Sequence, residues 1–187
     1  MDYRNEITAY FEKEKATLDA ISKDDLSNLM NVLMDAKEAG KTIFIMGNGG
    51  SAATASHYVC DFNKGISFGE DKMFKFICLN DNIPTMMAYA NDLSYKDIFV
   101  GPLKNFLQEG DVVIGISGSG NSENVVRAIQ YANDNGGITV GLTGYGGGKV
   151  KLLSKYNVHI PVDDMQITED LHMVLDHCMM KILCSKK

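Results

Sequence analysis

The chain has 187 residues, 45% of them hydrophobic and 22% charged, and a formal net charge of −6. That length suits one domain with a substantial core, and the acidic balance excludes a non-specific nucleic-acid binder, which needs a basic surface. The first twenty residues mix charged and apolar types and form neither a signal-peptide core nor a membrane span.

Four cysteines, Cys60, Cys78, Cys178 and Cys184, make no C-x-x-C pair, and three of them sit in apolar runs. Reduced, buried thiols and a cytoplasmic location are expected.

Taken in order, Ile7, Tyr10, Phe11 and Leu18 give the N-terminal segment a rough helical stripe. A second helix spans about Asp24–Ala39, with Leu26, Leu29, Met30, Leu33 and Ala36 at i, i+3, i+4 spacing and Gly40 as its stop. Strands are expected at Thr42–Met46, Phe74–Leu79, Val112–Ser117, Ile138–Thr143 and Asn157–Pro161. Between them fall helices near Ala52–Asn63, Ile83–Tyr89, Tyr95–Phe106, Glu123–Asn135 and Val150–Ser154, and a last one spans Thr168–Leu183. This alternation predicts an α/β fold: a three-layer sandwich around a five-stranded parallel sheet, with an N-terminal helical extension.

Two loops carry the strongest chemical signal. After the Val112 strand comes Ser117-Gly118-Ser119-Gly120-Asn121-Ser122, then a helix with Ser122 as its N-cap. Hydroxyls and free backbone N–H groups at a helix start favour an anion, and the lack of a P-loop lysine favours a small phosphate ester over ATP. An ordinary strand–turn–helix connection would read the same way. Upstream, Gly47-Asn48-Gly49-Gly50 repeats the design with Ser51 as N-cap, and its glycines permit close backbone approach to a ligand. In a parallel sheet both loops lie on one edge, where open α/β folds bind ligands.

His57 and Asp61, at i and i+4, share one helix face, as a metal grip or as a surface ion pair. In the last helix Leu171, Val174, Leu175, Cys178, Ile182 and Leu183 read as the apolar stripe. Glu169 and His177 then fall on the far side, about 80° apart at 100° per residue, with Met173 and Met180 between them. Methionines beside Glu and His imply a second covered surface, such as a subunit interface. Two histidines and two carboxylates on two helices suit zinc or another divalent transition metal. His159 reads as structural, and Asn91-Asp92 as a turn before the next helix.

Together the blocks GNGGSAATASHYVCDF, ANDLSYKDIF, ISGSGNSENVV and EDLHMVLDH resemble the SIS (sugar isomerase) domain, and within it the phosphoheptose isomerases. The resemblance spans nearly the whole chain. It implies a single domain over 1–187, with 1–40 a helical extension involved in assembly as a homotetramer. It implies a phosphate loop of Ser117, Gly118, Ser119 and Ser122, and substrate contacts from Asn48, Gly49, Gly50, Ser51, Asp61, Asn91, Asp92 and Glu169. It also implies zinc on His57, Asp61, Glu169 and His177, and acid–base catalysis by Asp61 and His177. The family commonly has Glu at the Asp61 position and Gln at the Glu169 position.

The implied reaction interconverts sedoheptulose 7-phosphate and D-glycero-D-manno-heptose 7-phosphate through a cis-enediol, with Asp61 as base and His177 as acid. An Asp61 fixed on a metal throughout could not also be that mobile base. The alternatives are an isomerase of another phosphosugar, or a non-catalytic SIS regulator such as a replication-initiator-associating protein. The expected partners are a phosphosugar and further copies of the chain, with neither nucleic acid nor membrane.

Overall fold

The computed structural model describes residues 1–185. Its five strands are β1 (Ile43–Met46), β2 (Phe76–Cys78), β3 (Val112–Ser117), β4 (Ile138–Thr143) and β5 (Tyr156–His159). They pair in the order β2-β1-β3-β4-β5, and every pairing is parallel. The apolar runs of β1 and β3 lie in the middle and are buried at every position, as strands covered on both faces must be.

Helices α1 (Arg4–Ala20) and α2 (Lys23–Glu38) precede the sheet, and α3 (Gly50–Cys60) leaves β1. Then come α4 (Ile83–Asp92) and α5 (Val100–Phe106) after β2, α6 (Glu123–Asp134) after β3, α7 (Gly148–Leu153) after β4 and α8 (Met165–Cys184) after β5.

Side chains alternate across the strands, so the sheet divides the core in two. Ile43, Ile45 and Ile114 face a cluster completed by Leu29 and Leu33 of α2, Tyr58 of α3 and Leu171 and Leu175 of α8. Phe44, Met46 and Val113 face Leu103 of α5, Val125 and Ile129 of α6 and Val150 of α7. The chain leaves β1 for β2 on one side and β3 for β4 on the other. The crevice between the carboxyl ends of β1 and β3 is therefore the switch point at which such sheets bind ligands.

Several expectations need adjustment. Gly49, not Ser51, is the N-cap of α3, and Ser51 is buried in its first turn. Asn91 and Asp92 close α4 rather than forming a free turn. The helix expected from Tyr95 is a 3₁₀ turn (Tyr95–Asp97) followed by α5. Past Cys60, α3 widens into a π-helical turn, Asp61–Ile66, which seats Phe62 among Tyr58, Phe74 and Phe76. Of the thiols, Cys78 is buried but Cys60 is exposed.

The buried face of α8 is Ile167, Thr168, Leu171, His172, Leu175, Asp176 and Met179, while Val174 is 37% exposed. Two ionisable residues thus replace the valine and cysteine of the apparent stripe. Met180 finds its cover inside the chain: its methyl lies where a side chain on Gly65 of the π turn would stand.

The N-terminal stripe stays uncovered. Ile7, Phe11 and Leu18 are 50%, 53% and 43% exposed, and only Thr17 of α1 is buried. Polar ties hold α1 to the start of α8, from Tyr10 to Asp170 and from Lys13 to Asp164 at 2.7 Å. No helix among the described residues is long and apolar enough to cross a membrane.

Candidate active site

The β1 and β3 loops meet in a cleft of about 300 Å³ lined by Asn48, Gly49, Gly50, Ser51, Ser117, Gly118, Ser119, Ser122 and Glu169, with Ile116 and Met165. Ser117 and Ser122 exchange a 3.0 Å hydrogen bond across the β3 loop, so the hydroxyl of Ser122 serves the cleft rather than capping α6. Ser119 Oγ accepts from the Asn121 N–H at 3.2 Å.

The loop is fixed from behind. Gly118 O accepts from Gly144 N–H and Gly120 O from Val150 N–H, each at 2.9 Å. Gly120, at φ +67°, presses against the backbone of Gly147, where no side chain would fit.

The β1 loop is held as firmly. Asn80 bonds both polar groups of Gly47, accepting from its N–H at 3.2 Å and donating to its carbonyl at 2.8 Å. Asn48 and buried Asn124 form a reciprocal amide pair at 2.8 and 2.9 Å, and the Tyr95 hydroxyl donates to Asn48 at 2.8 Å. Asn124 and Tyr95 were not among the expected site residues. Their signal is faint in sequence, because an Asn in the first turn of a helix reads as ordinary polarity.

Glu169 lies directly against the first turn of α3. A side chain at Gly50 would collide with its carboxylate, so glycine there admits Glu169. Asn91 and Asp92 bond each other at 2.8 Å on the exposed end of α4, outside the cleft lining.

Further along α3 and α8 lies a second cluster. One ligand atom each from His57, Asp61, Asp176 and His177 lies within 4.8 Å of all the others. The two histidine Nε2 atoms are 3.0 Å apart, and Asp61 Oδ2 is 3.6 Å from His57 Nε2 and 4.0 Å from His177 Nε2. Asp61 Oδ2 and both Asp176 oxygens are buried without a hydrogen-bond partner. Burial, with Asp61 nearby, pushes Asp176 up to about 8.

Buried carboxylate oxygens without donors are costly. A divalent cation among these four residues would relieve that cost, and an N/O donor set suits a transition metal. The expected fourth ligand, Glu169, stands apart from this group. It precedes Asp176 by seven residues on the same helix, about 10 Å at 1.5 Å per residue, and faces the cleft instead.

Under this cluster the structure buries more polarity. His172 is fully enclosed with neither ring nitrogen hydrogen-bonded, and Tyr58 OH donates to its carbonyl at 3.3 Å. Burial holds the His172 pKa down to about 4, opposed by the Thr143 backbone and assisted by His159. His159 itself bonds Thr143 Oγ1 at 3.0 Å, the structural role its strand position suggests.

A doubly flanked parallel sheet, a serine-lined cleft at its switch point and an adjoining His/Asp cluster define a phosphosugar-binding α/β domain. The SIS domain model matches residues 2–144, and the chain belongs to that family, among the phosphoheptose isomerases.

The phosphoheptose isomerase of Clostridium acetobutylicum is 33% identical over 171 residues, covering 91% of this chain and 87% of that one. That of Helicobacter pylori is 34% identical over 181 residues, covering 97% and 91%. In structure, the phosphoheptose isomerase of Neisseria gonorrhoeae superposes with a TM-score of 0.90 over 98% of this chain and 100% of the other. At 24% identity that likeness speaks for the fold.

Proposed function

We propose that the protein is a ketose–aldose isomerase interconverting sedoheptulose 7-phosphate and D-glycero-D-manno-heptose 7-phosphate. Relatives named phosphoheptose isomerase support the reading at about one-third identity over most of their length. The observation that carries it is the spacing of the two clusters. Gly50 meets Glu169 at one end of α3 and α8, and His57 meets His177 some two turns further along both helices. A phosphate seated on Ser117, Ser119 and Ser122 thus lets an extended seven-carbon chain reach the His/Asp cluster with its far end, where C1 and C2 react.

In this reading Asn48, Gly49, Gly50, Ser51 and Glu169 line the path of the sugar, with Asn124 and Tyr95 fixing Asn48. Asn91 and Asp92, exposed on α4, would contact sugar only across a subunit boundary. Asp61 takes the proton from C1 and returns it to C2, while His177 shuttles the proton between the two oxygens. His177 is exposed enough to meet substrate, with 57% of its side chain accessible against 12% for Asp61.

Zinc held by the His/Asp cluster would polarise the carbonyl and stabilise charge on the enediolate. The exposed stripe of α1 supports assembly as a homotetramer through the helical extension 1–40 of a single domain. A cytoplasmic setting follows from the phosphorylated substrate.

Initial rates with sedoheptulose 7-phosphate, a five-carbon ketose phosphate and unphosphorylated sedoheptulose test the assignment. The spacing predicts the highest kcat/KM for the first. Equal rates on all three would refute it. A pure regulator has no use for the His/Asp cluster, so binding without turnover would favour that alternative.

A further inference from the structure

We propose that Asn121 is a positioning residue for the phosphate site, whose amide makes the tip of the β3 loop present donors alone. The inference deepens the phosphosugar reading of the cleft and rests on it.

The oxygens of an ionised phosphate monoester are acceptors, so its seat needs hydrogen-bond donors, and a backbone carbonyl facing it would repel it. The β3 loop meets that demand by giving every carbonyl at its tip another partner. Ser117 O accepts from Gly120 N–H, Gly118 O from Gly144 N–H and Gly120 O from Val150 N–H, each at 2.9 Å. Those three bonds come from the backbone. The fourth carbonyl, on Ser119, differs: its donor is a side chain, Asn121 Nδ2 at 3.0 Å. The peptide joining Ser119 to Gly120 is thus pinned at both ends, its N–H by Ser117 and its carbonyl by Asn121.

The same residue aims the hydroxyl. Asn121 N–H donates to Ser119 Oγ at 3.2 Å, which leaves the hydroxyl hydrogen for another acceptor and makes Ser119 a donor toward the cleft it lines. Asn121 is in turn held from outside the loop. Its Oδ1 accepts at 3.2 Å from the N–H of Lys149, 28 residues away in the first turn of α7. A side chain at Gly148 would come within 2.6 Å of the Asn121 amide nitrogen, so glycine there admits that amide.

Asn121 is exposed, and water could satisfy its polar groups equally well. What the three bonds supply is therefore geometry more than stability. Without them the Ser119 carbonyl is free to swing toward the cleft, and Ser119 Oγ loses the contact that aims it. Asn121 acts through Ser119 on binding, at the end of the substrate away from the proton transfer at C1 and C2.

The test compares wild type with Asn121→Ala and Asn121→Asp. Aspartate keeps the acceptor for Lys149 N–H but cannot donate to the Ser119 carbonyl, and it adds a charge beside the anion. Initial rates with sedoheptulose 7-phosphate should show KM raised roughly 3–10-fold in Asn121→Ala, the span of one hydrogen bond, with kcat nearly unchanged. Asn121→Asp should lose at least as much. A phosphorus NMR titration with inorganic phosphate, which does not depend on turnover, should show the same weakening. Both variants should keep nearly the wild-type Tm, as surface substitutions usually do.

Wild-type KM and phosphate affinity in Asn121→Ala overturn the assignment, and so does wild-type behaviour in Asn121→Asp, which would make the donated bond idle. A marked fall in Tm, or a loss of kcat at unchanged KM, overturns it as well, since either makes the residue structural. A wild type that binds neither inorganic phosphate nor sedoheptulose 7-phosphate rejects the phosphosugar reading and the positioning role together, whereas a variant at wild-type affinity rejects the positioning role alone.

Discussion

His172 should govern much of the protein's sensitivity to acid. Its imidazole is fully buried with neither nitrogen hydrogen-bonded, and its pKa is held near 4 against 6.5 for a free histidine. Between those values the unfolded chain binds a proton that the folded one refuses. Stability therefore falls as pH drops from 6.5 through 4. The 2.5-unit gap corresponds to about 3 kcal/mol at 1.36 kcal/mol per unit, a sizeable part of a typical domain's stability.

His172→Leu keeps nearly the same volume, leaves the carbonyl that accepts from Tyr58, and cannot titrate. At pH 7 it should be as stable as wild type or more so, since two orphaned polar atoms disappear. At pH 4 it should keep about 3 kcal/mol more of its neutral-pH stability. Asp176 works in the other direction: its pKa, raised from 3.8 to about 8, removes stability as pH rises through that window. The difference between variant and wild type, rather than either curve alone, is therefore the quantity to compare. Urea unfolding followed by far-UV circular dichroism at pH 7, 5.5 and 4 supplies it, the chain having no tryptophan. Parallel losses in the two proteins would rule out His172 as the acid-sensitive group.

Other outcomes follow from the same structure. Ser119→Ala should weaken phosphosugar binding by roughly 1–2 kcal/mol without affecting the fold, and unchanged affinity in calorimetry would remove Ser119 from the phosphate site. Asn124→Ala should release Asn48 from its amide pair and raise KM severalfold with a smaller change in kcat. An unaltered KM would show that Tyr95 alone orients Asn48. Phe11→Lys, on the uncovered face of α1, should split the assembly in light scattering, because an unpaired lysine in an interface costs several kcal/mol. An unchanged particle mass would place the interface elsewhere.

The sheet was legible because its strands are unambiguous. β3 and β4 match the expected Val112–Ser117 and Ile138–Thr143 residue for residue, each a β-branched run bounded by glycine or acidic turn residues. The serine cleft was legible for a related reason: loop and helix start are adjacent in sequence, so local pattern fixes their geometry. Position on α8 was not. Hydrophobicity put Val174 on the inner face and left Asp176 unassigned, whereas the structure does the reverse.

The group that Asp176 faces, Asp61, is 115 residues away and carried on a π turn that helical periodicity cannot foresee. The clue that existed was His172 and Asp176 at i, i+4, flanking Leu175 within an otherwise apolar run. The separation of Glu169 from the His/Asp cluster was equally hidden, because angle around a helix says nothing of distance along it.

In the proposed reaction this chain moves a proton between two carbons of a heptose phosphate. The decisive experiment is incubation with sedoheptulose 7-phosphate in deuterium oxide, followed by mass spectrometry and NMR of the aldose formed. An enediol mechanism predicts D-glycero-D-manno-heptose 7-phosphate with deuterium at C2, and loss of the reaction in Asp61→Asn. No aldose product would rule out the isomerisation, and a product formed equally fast by Asp61→Asn would rule out Asp61 as its base.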